Sequence, residues 1–316
     1  MSRTPPMPSA SRVSSWIVTS IGLGLVLTWT LSTFAAGVKQ QRFASPEAAV
    51  TALVEAVKTA DRTAMLAILG PDARQLVSSG DEVADRNSRD RFVRSYEEAH
   101  RLVRAGDAQV TLLVGASDWP SPIPLVQDGA GWRFDTARGK EEILNRRIGR
   151  NELSAMQVCL AYVDAQREYY ARDPDQDRLL EYARHFASSP GQRDGLYWET
   201  PPGEAPSPLG PLVAKAQGEG YKEVGGRAEP YWGYHYRILT VQGPHAPDGA
   251  YDYVVRGHMI GGFALVAYPA EYRSSGVITF IVNHAGVVYQ KDLGPPTADI
   301  ARAMRRFDPD STWKKL

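Results

Sequence analysis

A chain of 316 residues with a single cysteine, and with 36 basic side chains balancing 36 acidic ones, excludes several function classes at once. It has no intrachain disulfide, no cysteine-based zinc site, and no net field to draw it to nucleic acid or to an anionic membrane surface. Stability must come from core burial, and the length suffices for a leader plus two ordinary domains.

Arg3 and Arg12 precede 26 uncharged residues, Val13 to Val38, and no Asp or Glu occurs before Glu47. A basic start followed by an apolar stretch (Trp16, Ile17, Val18, Ile21, Leu23, Leu25) is the pattern of an export signal. Thr33 to Gly37 supply the small residues for cleavage after Ala35 or Ala36. The run also meets the roughly 20 apolar residues of a spanning helix, so a retained tether is the competing expectation. Residues 1–38 are thus expected to be a signal peptide or N-terminal anchor. The body is expected in the periplasm or otherwise exported, with residues 13–38 as its only link to the membrane. No cysteine lies near the segment, which excludes lipid attachment there.

Ser45, Pro46 and Glu47 place a capping side chain before a proline at the first helical position, and Val50, Leu53, Val54 and Val57 follow at helical spacing. Asp61 caps a second helix through Met65, Leu66, Ile68 and Leu69, which Gly70 and Pro71 end. Ser78 to Arg89 read as a polar loop, after which Phe92, Val93 and Tyr96 resume a helical pattern. Beyond Gly106 the period changes to short strands through Val110, Leu112 and Val114, then Ile123, Leu125 and Val126, then Trp132 and Phe134. Helices followed by a meander make residues 43–136 an α+β domain.

Lys140 to Arg172 contain no proline, and Leu153, Met156, Leu160, Val163 and Tyr170 form a helical stripe. Residues 137–172 are read as one long helix joining two domains, with Gly149 as a place where it could kink. Its charged first half (Lys140, Glu141, Glu142, Arg146, Arg147, Arg150) reads as a solvated bridging face, with an anionic-ligand site at the arginines as the alternative. Cys159 falls in the apolar stripe, as a buried small hydrophobe would.

Residues 173–316 begin with a loop rich in Pro and Gly and then show strand alternation. Tyr234, Tyr236 and Ile238 alternate, as do Tyr251, Tyr253 and Val255; Phe263 to Ala267, Val277 to Val282 and Val287 to Tyr289 follow. His284 to Gly286 make a tight turn, Gly257 to Gly262 a hairpin, and Pro296 to Arg306 a closing helix. The fold class is therefore α+β, two domains joined by a long helix, each with helices on an antiparallel sheet.

The first domain, through Ser45 to Ala49 and Gly131 to Phe134, resembles the cone-shaped nuclear-transport-factor-like (NTF2-like) superfamily, whose fold serves enzymes and binding modules alike. Residues 150 to 293 resemble the globular half of type IV pilins and pseudopilins. Ala165, Gln166 and Tyr169, Gly220 and Tyr221, Gly233 to Tyr236, Ala267 to Pro269, and Gly276 to Val287 carry that likeness. A whole domain separates the export segment from the pilin-like helix, which argues against polymerisation into a pilus. Taken whole, residues 41–314 resemble an exported bacterial family catalogued as domain of unknown function 2950, through Lys140 to Tyr170, Asp194 to Trp198, Gly257 to Ala267 and Thr279 to Gly294. That resemblance implies no assigned activity.

Asp173, Asp175 and Asp177, with Glu181 after them, set carboxylates at alternate positions behind a helix, as calcium prefers. Arg178 stands where the calcium-loop pattern wants Gly and Arg184 where it wants Glu, so helix capping and solvated acids compete with a calcium site. None of the six histidines (His100, His185, His235, His245, His258, His284) shows paired zinc-ligand spacing. Ser188, Ser189, Ser274 and Ser275 lack the surroundings of a nucleophile elbow and read as turn residues. No catalytic or nucleotide-binding motif stands out, and calcium is the one cofactor the sequence suggests. Trp198, Trp232 and Tyr234, in an aromatic-rich stretch, are the candidate recognition surface, with core or loop packing as the competing reading. The leading functional reading is a non-catalytic exported binding or envelope-assembly accessory protein whose partner is an envelope protein or glycan. The alternatives are an envelope hydrolase with carboxylate or histidine acid and base, and a pseudopilin-like secretion component.

Overall fold

The structure, a computed structural model, describes residues 39–174, 176, 178–222 and 229–316. The expected leader falls outside the described residues. The chain is α+β, and the described residues form one compact unit that contains two hydrophobic cores.

The N-terminal half starts with α1 (Pro46–Lys58), capped by the Ser45 side chain, and α2 (Arg62–Leu69), capped by Asp61 and ended at Gly70. A 3-10 turn (Pro71–Ala73) and the short α3 (Arg74–Val77) lead to α4 (Glu82–Glu98). The expected loop over residues 78–89 is corrected here: from Glu82 onward it is the first half of α4. Its start is fixed by the Asp81 carboxylate, which accepts the Ala84 N–H at 2.9 Å.

An antiparallel sheet follows: β1 (His100–Arg104), β2 (Gln109–Val114), β3 (Trp119–Pro120), β4 (Leu125–Asp128) and β5 (Gly131–Phe134). β2 pairs with β1, β3 and β4, and β4 with β5. Alternation on β2 and β5 turns Val110, Leu112, Val114, Trp132 and Phe134 inward against α1 and α2. β1 did not show in the sequence because only Leu102 of its five residues is even partly buried.

α5 (Thr136–Arg172) runs without interruption for 37 residues, Gly149 included. Its N-terminal turns pack on the first core, and Ala155, Cys159, Tyr162, Val163 and Tyr169 enter the second. The chain then forms the parallel pair β6 (His185–Ala187) and β7 (Gly195–Tyr197), and the helix α6 (Gly210–Gly218).

The second core lies between α5 and an antiparallel sheet whose spatial order is β17 (Lys314–Lys315), β15 (Val288–Asp292), β14 (Ile278–Asn283), β13 (Ala264–Pro269) and β8 (Tyr234–Leu239). The central strands β13 and β14 are buried almost throughout. The run 251–255 is not one of its strands. It divides at the fully buried Tyr253, so that β10 (Tyr251–Asp252) pairs with β9 (Val241–Gln242), while β11 (Val254–Val255) forms a hairpin with β12 (His258–Met259). The helix α7 (Thr297–Ala303) is shorter than expected; Arg237 donates to its end carbonyls, Ala301 and Met304, and β16 (Arg306–Phe307) follows, pairing with β9.

The two cores are joined through buried polar groups. Asp81 is fully buried; one oxygen caps α4, and the other accepts from the Tyr221 hydroxyl at 2.8 Å and the Gly233 N–H at 2.7 Å. Burial, reinforced by the adjacent Asp81 carboxylate, pushes the Tyr221 phenol well above its ordinary pKa, so it stays a donor. Asn151 donates to the Ser275 carbonyl at 2.9 Å, and Asn87 to the Glu219 carbonyl at 2.9 Å.

Trp232 and Gly233 both take positive φ, 48° and 73°, in the turn before β8. A Cβ on Gly233 would lie 2.5 Å from Asn151 Nδ2 and 2.9 Å from Ser275 Cβ. Gly233→Ala therefore combines backbone strain with steric conflict and is expected to cost more than about 1 kcal/mol. Asp81→Ala strands two buried donors and a partly buried one, and should cost about 3 kcal/mol. Urea unfolding of the two variants measures both; Asp81→Ala within about 0.5 kcal/mol of wild type would contradict this account of the junction.

Candidate functional site

The inward face of α4 is unlike that of a core helix. Asp85, Ser88, Phe92 and Ser95 fall at helical spacing, and Asp85 is the only buried residue of the helix. A helix with this face cannot fill the space above a sheet. Instead α4 roofs a cavity of about 530 Å³, walled by Leu53, Val57, Met65, Leu112, Val114 and Phe134. Such a volume lies within the roughly 300–1,000 Å³ that encloses a small organic ligand. Trp119, 42 % exposed, stands on its rim with the Arg146 guanidinium 5.5 Å from its ring centre.

The cavity passes into a second, polar cleft of about 320 Å³ at the junction of the halves; Asp85, Ser88, Arg91, Ile143 and Arg150 line both. Arg147, Asn151, Glu219, Tyr221 and Trp232 complete the polar part. Three guanidiniums thus meet at one mouth: Arg91 from α4, and Arg147 and Arg150 from adjacent turns of α5.

Arg147 donates to the Gln75 and Leu76 carbonyls at 2.6 and 2.9 Å, and Arg91 to the Ser88 hydroxyl at 2.9 Å. Among the described residues none of the three forms an ion pair with a carboxylate. Burial, with the neighbouring Arg150 charge, holds the pKa of Arg91 below its ordinary value. Burial also lowers that of Arg147, against the attraction of Asp85. Each remains a cation under physiological conditions. The acids in the cleft are engaged elsewhere: Asp85 accepts from the Ser79 N–H and hydroxyl at 2.9 and 2.7 Å, and Glu219 from the Trp232 indole at 2.6 Å.

Residues 40–316 match the family described as Protein of unknown function (DUF2950). The chain belongs to this family. No curated protein and no solved structure matches it.

Elsewhere in this DUF2950 chain the residues singled out from sequence are placed as follows. Asp173 ends α5 in the left-handed region, with φ 44°, and one of its carboxylate oxygens is buried without a partner. Asp175 and Asp177 lie outside the described residues. Glu181 hydrogen-bonds His258, Oε2 to Nδ1, at 3.0 Å. Among the described residues no cluster of three metal-ligating side chains occurs.

The expected aromatic surface is corrected in part. Tyr234 is fully buried and donates to the Ile278 carbonyl at 2.8 Å, because its strand position faces α5 and the second core. Trp232 stacks on Tyr231 with ring centres 4.4 Å apart and has the Lys215 ammonium 4.3 Å from its ring; Trp198 has the Arg193 guanidinium at 5.5 Å. Both tryptophans are half-buried and engaged within the chain.

Ser274 and Ser275 are buried turn residues; the Ser275 hydroxyl donates to the Glu271 carbonyl and accepts the Glu271 N–H. The cavity itself escaped sequence reading. The signal that could have found it is the polar inward stripe of α4 together with the α5 arginines.

Cys159 is fully buried, and burial pushes its thiol up to about 12. Native protein is therefore expected to resist a disulfide-exchange thiol reagent at mildly alkaline pH and to react stoichiometrically once unfolded in urea. Fast native labelling would show that the α5 face opens.

Proposed function

We propose that this protein is exported and acts in the cell envelope as a non-catalytic binding protein, holding a small, largely apolar molecule in the cavity beneath α4. The export part rests on the leader pattern of residues 1–38. The binding part rests on one observation: a cavity of about 530 Å³ with apolar walls and a polar mouth, roofed by a helix that leaves it unfilled. A monomer gains nothing in stability from such a space, since each unfilled volume forfeits packing. On this reading the N-terminal half is an NTF2-like cone and the C-terminal half a pilin-like meander that supports one side of the mouth through α5 and Tyr221. An envelope protein could be the acceptor or donor of the cargo.

The hydrolase alternative has one supporting geometry, the Glu181–His258 pair, in which a carboxylate orients an imidazole as it would a general base. Neither residue lines the cavity or its mouth.

The purified protein should enhance the fluorescence of a neutral apolar dye such as N-phenyl-1-naphthylamine with one-to-one stoichiometry. Ser95→Trp on the roof and Ser121→Trp on the wall should each abolish it while retaining the wild-type circular dichroism spectrum. No enhancement by the wild type, or unchanged enhancement in both folded variants, would refute the binding reading. Cell fractionation tests export: recovery in the cytosol with an intact N-terminus would refute that part.

A further inference from the structure

We infer that the ligand is a single-chain anionic amphiphile, its alkyl chain in the apolar cavity and its anionic head at Arg91 and Arg150. This deepens, and rests on, the cavity-binding reading. The two compartments are contiguous and opposite in character. Leu53, Val57, Leu112 and Val114 offer hydrocarbon contact in one, and guanidiniums converge in the other.

Like charges on neighbouring helix turns repel one another, and the pKa of Arg91 is lowered in part by Arg150. Three cations held together without a paired carboxylate leave an electrostatic cost that an anion would relieve. The donors to receive it exist. A guanidinium carries five N–H groups; Arg147 commits two to backbone carbonyls, Arg91 one to Ser88, and Arg150 none among the described residues. The planar fork suits a carboxylate or a phosphate. Arg147, tied to the Gln75 and Leu76 carbonyls, holds the mouth in shape, so head-group capture falls to Arg91 and Arg150.

Polar groups with two different origins also fit. Arg91 belongs to α4 and Arg150 to α5, so a bound head would bridge the roof to the connecting helix. Asp85 lies in the same lining with both oxygens held by Ser79; its charge offsets part of that of Arg147, but it forms an ion pair with none of the three arginines.

The test is displacement of the neutral dye from the purified protein by three chains of equal length: hexadecanoate, hexadecyl phosphate and hexadecanol. At least one anion should displace the dye about tenfold more tightly than the alcohol, and raised salt should weaken the anion alone. The tighter anion identifies the head group. Arg91→Ala and Arg150→Ala should each remove about tenfold of the anion's affinity and change that of hexadecanol far less. Equal affinity for alcohol and both anions, or anion affinity unaltered in both variants, overturns the inference. In either case continued dye binding leaves the cavity reading standing, whereas loss of dye binding by wild type defeats that reading itself.

Discussion

A carboxyl group with no solvent exposure needs donors to replace the water it has lost, and Asp81 recruits them from both halves of the chain. One oxygen caps α4 through Ala84; the other gathers the Tyr221 hydroxyl and the Gly233 amide. Ser79 extends the network, its hydroxyl accepting the Asp81 N–H and donating to Asp85 one turn further along α4. The position of α4 over the first sheet is therefore set by contacts from residues more than 130 positions away, and with it the place of Arg91.

Apolar contact alone would hold α4 poorly. Phe92 and Tyr96 are its partly buried members against the first core, and the remainder of its inward face is polar. The roof is fastened at its N-terminal end by hydrogen bonds and touches the first core through few apolar side chains, which is how a cavity persists beneath it. α5 supplies the second fixed edge. A continuous run of 37 residues reaches both cores, and the arginines just before its midpoint line the cleft at the junction. Arg147 binds the chain just before α4 and so ties α5 to the start of the roof.

Backbone strain accumulates at the same junction. Trp232 adopts φ 48°, costly for a bulky residue, and is kept there by the Glu219 bond to its indole, the Tyr231 stack and the Lys215 cation. Gly233 beside it presents its amide to Asp81 because no side chain blocks the approach. Of the aromatic-rich stretch, Tyr221, Tyr231 and Trp232 belong to the fastening between the halves, so packing rather than an open surface accounts for them.

Local rules settled much of this protein in advance. Caps at Ser45 and Asp61, the stop at Gly70, the period-two strands and the long proline-free helix are determined by neighbours in sequence, and the α+β class follows from them. What failed did so where burial departs from polarity. The α4 N-terminus reads as loop because its inward residues are acidic, hydroxylic and basic; β1 is almost wholly exposed; the 251–255 run breaks because Tyr253 turns into the core to bond Gln242. The arginines of α5 were visible as a cluster, but nothing local distinguishes a solvated face from a binding mouth. That distinction needs a second surface brought opposite, and only tertiary packing, by setting Arg91 of α4 against Arg150 of α5 above an unfilled space, could supply it.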